Sequence, residues 1–216
     1  TEGNKAFEVI IQLAAILAVI ANYKERFTFK HVRLWSQVFV AFLPVAIVGF
    51  LFRHEIKAMF SVPIVATMFI VGGVIFLLTE RWLKDKTASV DSLESLTMKQ
   101  TLWIGFAQIF ALIPGTSRAG STIIGALLVG VSRKVSAEFS FLLALPVMVA
   151  ASGYDLLSSY KEFAGEQLMP LIIGFVVAFL SAFVVMKLFM VFLEKFTFVA
   201  FGWYRIIFGA LLLFFA

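Results

Sequence analysis

The segment Pro114-Gly115-Thr116-Ser117-Arg118-Ala119-Gly120-Ser121-Thr122 holds the residue types that could do chemistry. Gly115 and Gly120 let backbone N–H groups approach a ligand closely. Thr116, Ser117, Ser121 and Thr122 offer hydroxyls, and Arg118 adds a planar fork that matches phosphate oxygens two at a time. Ile123 to Val131 reads as a helix, and its N-terminus would aim positive dipole at the same spot. The set suits a phosphate or diphosphate. The plainer alternative is a kinked helix pair whose serines satisfy freed backbone groups. Arg118 weighs against it, because a membrane-buried arginine without an anionic partner is costly.

The surroundings make such a segment unusual. Thr101 to Ile113 before it and Ile123 to Val131 after it are apolar, and each falls short of the roughly 20 residues a membrane helix needs. Charged, irregular backbone at membrane depth is tolerated only where it lines a cavity or is buried in protein. The two flanks therefore read as a re-entrant helix pair. The 216 residues are 62% hydrophobic and 14% charged, against about 45–50% and about 25% for soluble domains. This predicts an integral membrane protein. Long apolar runs without alternation argue against a β-barrel. With no cysteine there is no disulfide, thiol catalysis or cysteine metal site. His31 and His54 sit in charged loops, so no metal-ligating set is assigned. The net charge of +5 follows from the positive-inside rule and implies no nucleic-acid partner.

Hydropathy places six spans, at about Ala6–Ala21, Leu34–Phe52, Pro63–Leu83, Ala137–Leu157, Leu168–Leu193 and Phe198–Ala216. The basic loops at Lys24–Arg33, Lys84–Lys99, Arg133–Lys134 and Lys195 fall on one side if the Thr101–Val131 unit dips in and returns. The Arg53–Lys57 and Lys161 loops fall on the other. Glu8, Leu13 and Ala14 match Glu138, Leu143 and Ala144 in register, and Val40-Ala41-Phe42-Leu43 matches Val177-Ala178-Phe179-Leu180. Two halves with three spans each would be inverted, a known plan for membrane proteins with broken helices. The expected fold is an all-α polytopic integral membrane protein with six transmembrane helices, one re-entrant pair and an inverted-topology repeat. It forms a single membrane domain over 1–216, with halves at about 1–83 and 100–216 joined by the polar loop 84–99.

Other polar residues are candidates of a second rank. Glu8 and Gln12 lie one turn apart and could face the same cavity as substrate-binding residues. Glu138 sits near Arg133 as a structural ion pair, and Arg205 reads as snorkelling to the inner interface. Trp35, Trp82, Trp103 and Trp203 fall near span ends, as in an aromatic belt.

Gln108 to Thr122, QIFALIPGTSRAGST, resembles the proline-glycine-x-serine-arginine motif of the bacterial undecaprenyl-diphosphate phosphatases, the bacitracin-resistance family. Phe7–Val19, Ala137–Pro146 and Trp203-Tyr204-Arg205 are also similar to it. The resemblance implies hydrolysis of undecaprenyl diphosphate to undecaprenyl phosphate and inorganic phosphate, recycling the lipid carrier for cell-wall synthesis. It implies a polyprenyl diphosphate partner within membrane lipid, and a bacterial inner-membrane location with the site open to the periplasm. It leaves room for a homo-oligomer. Arg118 and Ser117 would be catalytic, with Ser117 a donor rather than a nucleophile, since the visible motif has no activating histidine. Gly115, Thr116, Gly120, Ser121 and Thr122 would bind phosphate. Ala119 stands where the family often has serine and is given no role. The resemblance also implies a divalent cation, Mg2+ or Ca2+. The family's earlier motif, with two glutamates, a proline-serine-serine stretch and a histidine, has no counterpart here, and its expected place is upstream of Thr1, where the repeat also requires a second re-entrant unit. The rival class is a secondary transporter or lipid flippase for an anionic substrate.

Overall fold

A computed structural model describes residues 2–159 and 168–215. Among these residues the chain forms α1 Glu2–Asn22, α2 Val32–Leu51, α3 Arg53–Ala58, α4 Val62–Leu83, α5 Met98–Ile109, α6 Arg118–Leu128, α7 Arg133–Ser159, α8 Leu168–Lys195 and α9 Val199–Phe215. No strand forms among them; Val90 and Val131 make an isolated parallel bridge. Four helices are long and apolar enough to cross a membrane: Phe29–Leu51, Val62–Leu83, Arg133–Gly153 and Met169–Leu193. The first and last expected spans are shorter apolar helices, Phe7–Asn22 and Val199–Phe215, as is Arg118–Leu128. The chain is an all-helical membrane protein. The charged Arg53–Lys57 loop is instead the short helix α3, since no glycine or proline interrupts it. The loop read at Lys161, Glu162 and Glu166 lies outside the described residues.

Small residues set the closest packing. α4 and α9 run antiparallel, with Gly73 against the Gly202 carbonyl and Gly209 against the Ala66 carbonyl. Glycine at such seams lets helix backbones approach, which matters where lipid supplies no hydrophobic drive between helices. Gly105 of α5 meets the Ala41 backbone of α2 in the same way. A central core gathers Leu34, Val38 and Ala41 from α2, Ile104 from α5, Ala126 from α6 and Phe139, Leu142 and Leu143 from α7. α1 and α7 are also antiparallel: Ser152 Oγ donates to Gln12 Oε1 at one end (2.6 Å), and Arg26, just past α1, meets Glu138 at the other (3.3 Å).

Among the described residues three ion pairs pin the loop end of the bundle. Arg26 joins both Glu94 and Glu138. Arg133 donates from Nε to the buried Glu80 (3.1 Å), and the same carboxylate accepts the Phe198 N–H (3.0 Å). The expected Arg133–Glu138 pairing is thus replaced. Glu80 of α4 presents a carboxylate to Arg133 at the start of α7, and the Arg26 loop folds over Glu138.

α5 and α6 form a hairpin whose two ends meet one loop. The α5 end begins at a capping box, in which Thr97 Oγ1 accepts from Gln100 N and Gln100 Oε1 accepts from Thr97 N. Past the other end, Ser89 N donates to Gly130 O (2.8 Å) and Ser132 N to Val90 O (2.9 Å). The helices have 12 and 11 residues. Each is about 16–18 Å long, little more than half of a hydrocarbon core of about 30 Å. The tip of this hairpin carries the polar motif.

Candidate active site

The motif is a tight turn in a strained conformation. Past the 3₁₀ turn Phe110–Leu112, Gly115 has φ +90 and Ser117 has φ +71. A side chain at position 115 would strike the Val65 carbonyl of α4, so glycine is required on two counts. A positive φ at a serine costs on the order of 1–3 kcal/mol, and such strain gathers at functional sites. Ser117 is the N-cap of α6, its Oγ accepting the Gly120 N–H (3.1 Å). That bond leaves the hydroxyl proton free to be donated. The Arg118 and Ala119 N–H groups at the head of α6 meet no acceptor among the described residues, as the first N–H groups of a helix do until a ligand or cap arrives.

The remaining motif side chains divide by role. Thr122 is fully buried; its Oγ1 lies 3.1 Å from Arg118 O, 3.0 Å from Ala119 O and 2.6 Å from Ser140 Oγ. Thr122 therefore ties α6 to α7. Ser121 Oγ donates back to Ser117 O (3.1 Å). Thr116 Oγ1 is buried and unpartnered, as are both ends of the fully buried Gln108 amide. Arg118 Nη1 donates to Ser140 O (3.2 Å).

Arg205 was not singled out for this site, yet it holds the motif. It is only 7% exposed, not snorkelling. Its Nη2 donates to Gly115 O (2.8 Å), Met68 O (3.1 Å) and Thr116 O (3.3 Å). Gly72 makes the room, since a Cβ there would stand 2.6 Å from Arg205 Nη2. The guanidinium also lies over the Phe69 ring, 4.7 Å from its centroid. Among the described residues neither Arg118 nor Arg205 meets a carboxylate. Two cations thus flank one loop in apolar surroundings with only carbonyl oxygens for company. Buried charges are normally paired, so the arrangement is built for an anion.

Glu8 and Gln12 are not brought to this loop. Glu8 is exposed. Gln12 binds Ser152, whereas Arg118 binds Ser140, roughly 18 Å away along α7 at 1.5 Å per residue. Helical spacing put the two on one face, and that face turns toward the far end of α7. No group of three or more His, Asp or Glu side chains that could hold a metal forms among the described residues. The donors around the motif are hydroxyls, an amide and guanidiniums, which do not fit a divalent cation.

Comparison with known proteins places the chain in a family. Residues 1–211 match the family described as BacA, bacitracin resistance protein BacA. The chain belongs to the BacA family. Among its relatives, undecaprenyl-diphosphatase 2 of Pseudoalteromonas translucida is 60% identical over 99% of this chain and 83% of its own length. The undecaprenyl-diphosphatase of Sulfurimonas denitrificans is 61% identical over 98% and 83%. That of Methanococcus aeolicus is 47% identical over 97% and 82%. The BacA match covers α1 through α9 nearly to its end, so the motif hairpin and the Arg205 helix both belong to the family's common body.

Proposed function

We propose that this protein hydrolyses undecaprenyl diphosphate to undecaprenyl phosphate and inorganic phosphate, in keeping with the names of its relatives. The observation that carries the reading is the pair of carboxylate-free guanidiniums at the strained Gly115–Ser117 turn. Of the five Arg118 N–H donors, Ser140 O accepts one. The others can grip phosphate oxygens bidentately and neutralise charge that builds on them during transfer. Ser117 donates its hydroxyl proton to a phosphate oxygen, and the Arg118 and Ala119 N–H groups complete a preorganised set. Arg205 acts through the backbone, fixing the Gly115 and Thr116 carbonyls so that the N–H groups that follow point at the ligand. Water attacks the terminal phosphorus, the anhydride P–O bond breaks, and the lipid phosphate leaves.

The same reading extends to architecture. Six crossings with α5–α6 as a re-entrant pair are supported by the half-span length of both helices and by their common loop. An inverted repeat with halves at about 1–83 and 100–216 is supported by the antiparallel course of α1 and α7. An inner-membrane location with the site open to the periplasm is proposed from the substrate class in the relatives' names. A divalent cation, Mg2+ or Ca2+, enters the proposal through the family likeness alone; the motif donors do not fit it, so its ligands would be other residues. The test is purified protein in nanodiscs given undecaprenyl diphosphate. Equimolar inorganic phosphate and undecaprenyl phosphate are expected. Movement of intact lipid diphosphate without phosphate release would favour a flippase instead.

A further inference from the structure

At the loop end of the bundle, the length of α6 away from the motif turn, a second polar cavity of about 170 Å³ opens where α4 and α6 end and α7 begins. Its polar lining is cationic: Lys86 and Arg133, with the hydroxyls of Thr87 and Ser132. None of these residues belongs to the motif or to its Arg205 clamp. We propose that this cavity binds the phosphate of an anionic membrane phospholipid. The site does not depend on the hydrolase reading.

The first supporting observation is a set of unused donors. Glu80 takes Nε and Nη2 of Arg133, which leaves three of the five guanidinium N–H donors. Lys86 meets no carboxylate among the described residues, and its ammonium lies over the Trp82 ring, 2.9 Å from the centroid. Ser132 Oγ accepts from Val135 N (3.5 Å), so its own proton can still be donated. Among the described residues Glu80 is the one carboxylate bonded to the lining, and it also accepts the Phe198 N–H. Asp85 is exposed and stands outside the lining. Two cations against one carboxylate leave the cavity net positive.

The second is that the walls are already fixed. Ser89 N and Val90 N both donate to Gly130 O (2.8 and 3.2 Å), and Ser132 N donates to Val90 O (2.9 Å). These bonds hold the strip carrying Lys86 and Thr87 against the strip carrying Ser132 and Arg133. Little further ordering is needed when a ligand enters. The volume is several times the roughly 30 Å³ share of one water, which is room for a phosphate group.

The third is the mouth, and it chooses a lipid over a free ion. Trp82 and Leu128 line the cavity and are each 50% exposed. Leu78, one turn back along α4, is 60% exposed. Indole rings sit at headgroup depth, and leucines on the outer face of a membrane helix meet lipid tails. Cations inside an apolar rim match a phospholipid, with its phosphate inward and its tails along Leu78 and Leu128. Bonds from Arg26 to Glu94 and Glu138, from Arg33 to Leu96 O and from Phe198 N to Glu80 gather the basic loops at this same end. The positive-inside rule gives such an end to the cytoplasmic leaflet, whose anionic lipids attract clustered lysine and arginine.

The experiment follows thermal unfolding of the protein in neutral detergent as dioleoyl phosphatidylglycerol is added. Zwitterionic dioleoyl phosphatidylcholine and inorganic phosphate are the comparators. A saturable rise in Tm with phosphatidylglycerol is expected, and little from the other two. Lys86→Gln leaves the Glu80–Arg133 pair in place. It should weaken phosphatidylglycerol binding about fivefold, the effect of about one cation at an anionic surface, with Tm in plain detergent unchanged. Lys57→Gln, in α3 at the opposite end, should leave the binding as it is. No saturable rise, an equal response in wild type and Lys86→Gln, or an equal loss with Lys57→Gln would overturn the site. A matching response to phosphatidylcholine or to inorganic phosphate would overturn the anionic-lipid assignment. Position is read on the wild type, so it stands whether or not Lys86→Gln folds. Phosphatidylglycerol with a diazirine on its headgroup should label residues 82–87 or 128–133, and label confined to other segments refutes the proposal.

Discussion

Replacing Arg205 by methionine keeps a long, unbranched side chain in the Gly72 hollow and deletes the guanidinium. Two loop carbonyls, Gly115 O and Thr116 O, then lose a charged donor. A buried acceptor left unsatisfied costs about 1–3 kcal/mol, so the two together cost about 2–6 kcal/mol before the loop relaxes. Relaxation is the point: the turn escapes the penalty by abandoning its strained shape, and Ser117 moves with it. If about half of that cost is felt in the transition state, at 1.36 kcal/mol per decade the loss is about 5- to 150-fold in kcat/KM, centred near 30-fold. Arg205→Lys keeps the charge and reaches one carbonyl, and should retain about a tenth of wild-type activity. The assay is phosphate release in nanodiscs with KM and kcat resolved, beside thermal unfolding to exclude collapse of the α4–α9 seam. Arg205→Met that folds normally and turns over within about threefold of wild type would show that the loop holds its shape without the clamp, and the positioning argument would fail.

Arg118→Ala should abolish phosphate release while leaving the protein folded, and Arg118→Lys should be severely impaired, because an ammonium cannot supply the bidentate fork; near-normal turnover in the lysine variant would count against that geometry. Gly115→Ala meets both the positive φ and the Val65 backbone, so it should lower stability by more than the roughly 1 kcal/mol typical of a glycine-to-alanine mismatch, measured as a fall in Tm. Thr122→Val removes the 2.6 Å bond to Ser140 and should cost about 1–3 kcal/mol, seen in thermal unfolding. In the loop, a hydrogen bond from its own backbone N–H, and then Arg26, hold the Glu94 carboxyl below its ordinary range. A lowered folded-state pKa adds stability above the unfolded value that is lost as pH falls through the folded one. Melting temperature should therefore drop in acid more for wild type than for Glu94→Gln, and parallel pH profiles would contradict this.

The motif was legible because a charge and two glycines interrupt apolar sequence, where each has a strong physical meaning. The limits of α4 were legible too, with Pro63 at its first turn and Lys84 at its end. Arg205 was not, because an arginine near a helix end can snorkel or turn inward, and only the hollow at Gly72 decides between them. A hint was present: Gly72-Gly73, Gly202 and Gly209 sit in apolar helices, where glycine signals close approach. Glu80 was hidden for a similar reason, since its partners Arg133 and Phe198 N lie far along the chain. For Glu8 and Gln12 the helical period put both on one face, but a period cannot say what that face meets: Glu8 is exposed and Gln12 binds Ser152.

The Arg205 clamp spans 90 residues of sequence to Gly115, and this sets an order on biogenesis. When the hairpin tip leaves the ribosome, its two loop carbonyls have no guanidinium to bind, because α9 is still unmade. The α4 seam that will receive Gly202 and Gly209 is also open to lipid at that moment. Folding of the motif into its strained turn is therefore deferred until α9 docks along α4 and delivers Arg205 through the gap at Gly72. A nascent chain stalled before α9 inserts its helices yet carries a slack, unarmed loop. Catalytic competence arrives as a late, cooperative event rather than growing helix by helix.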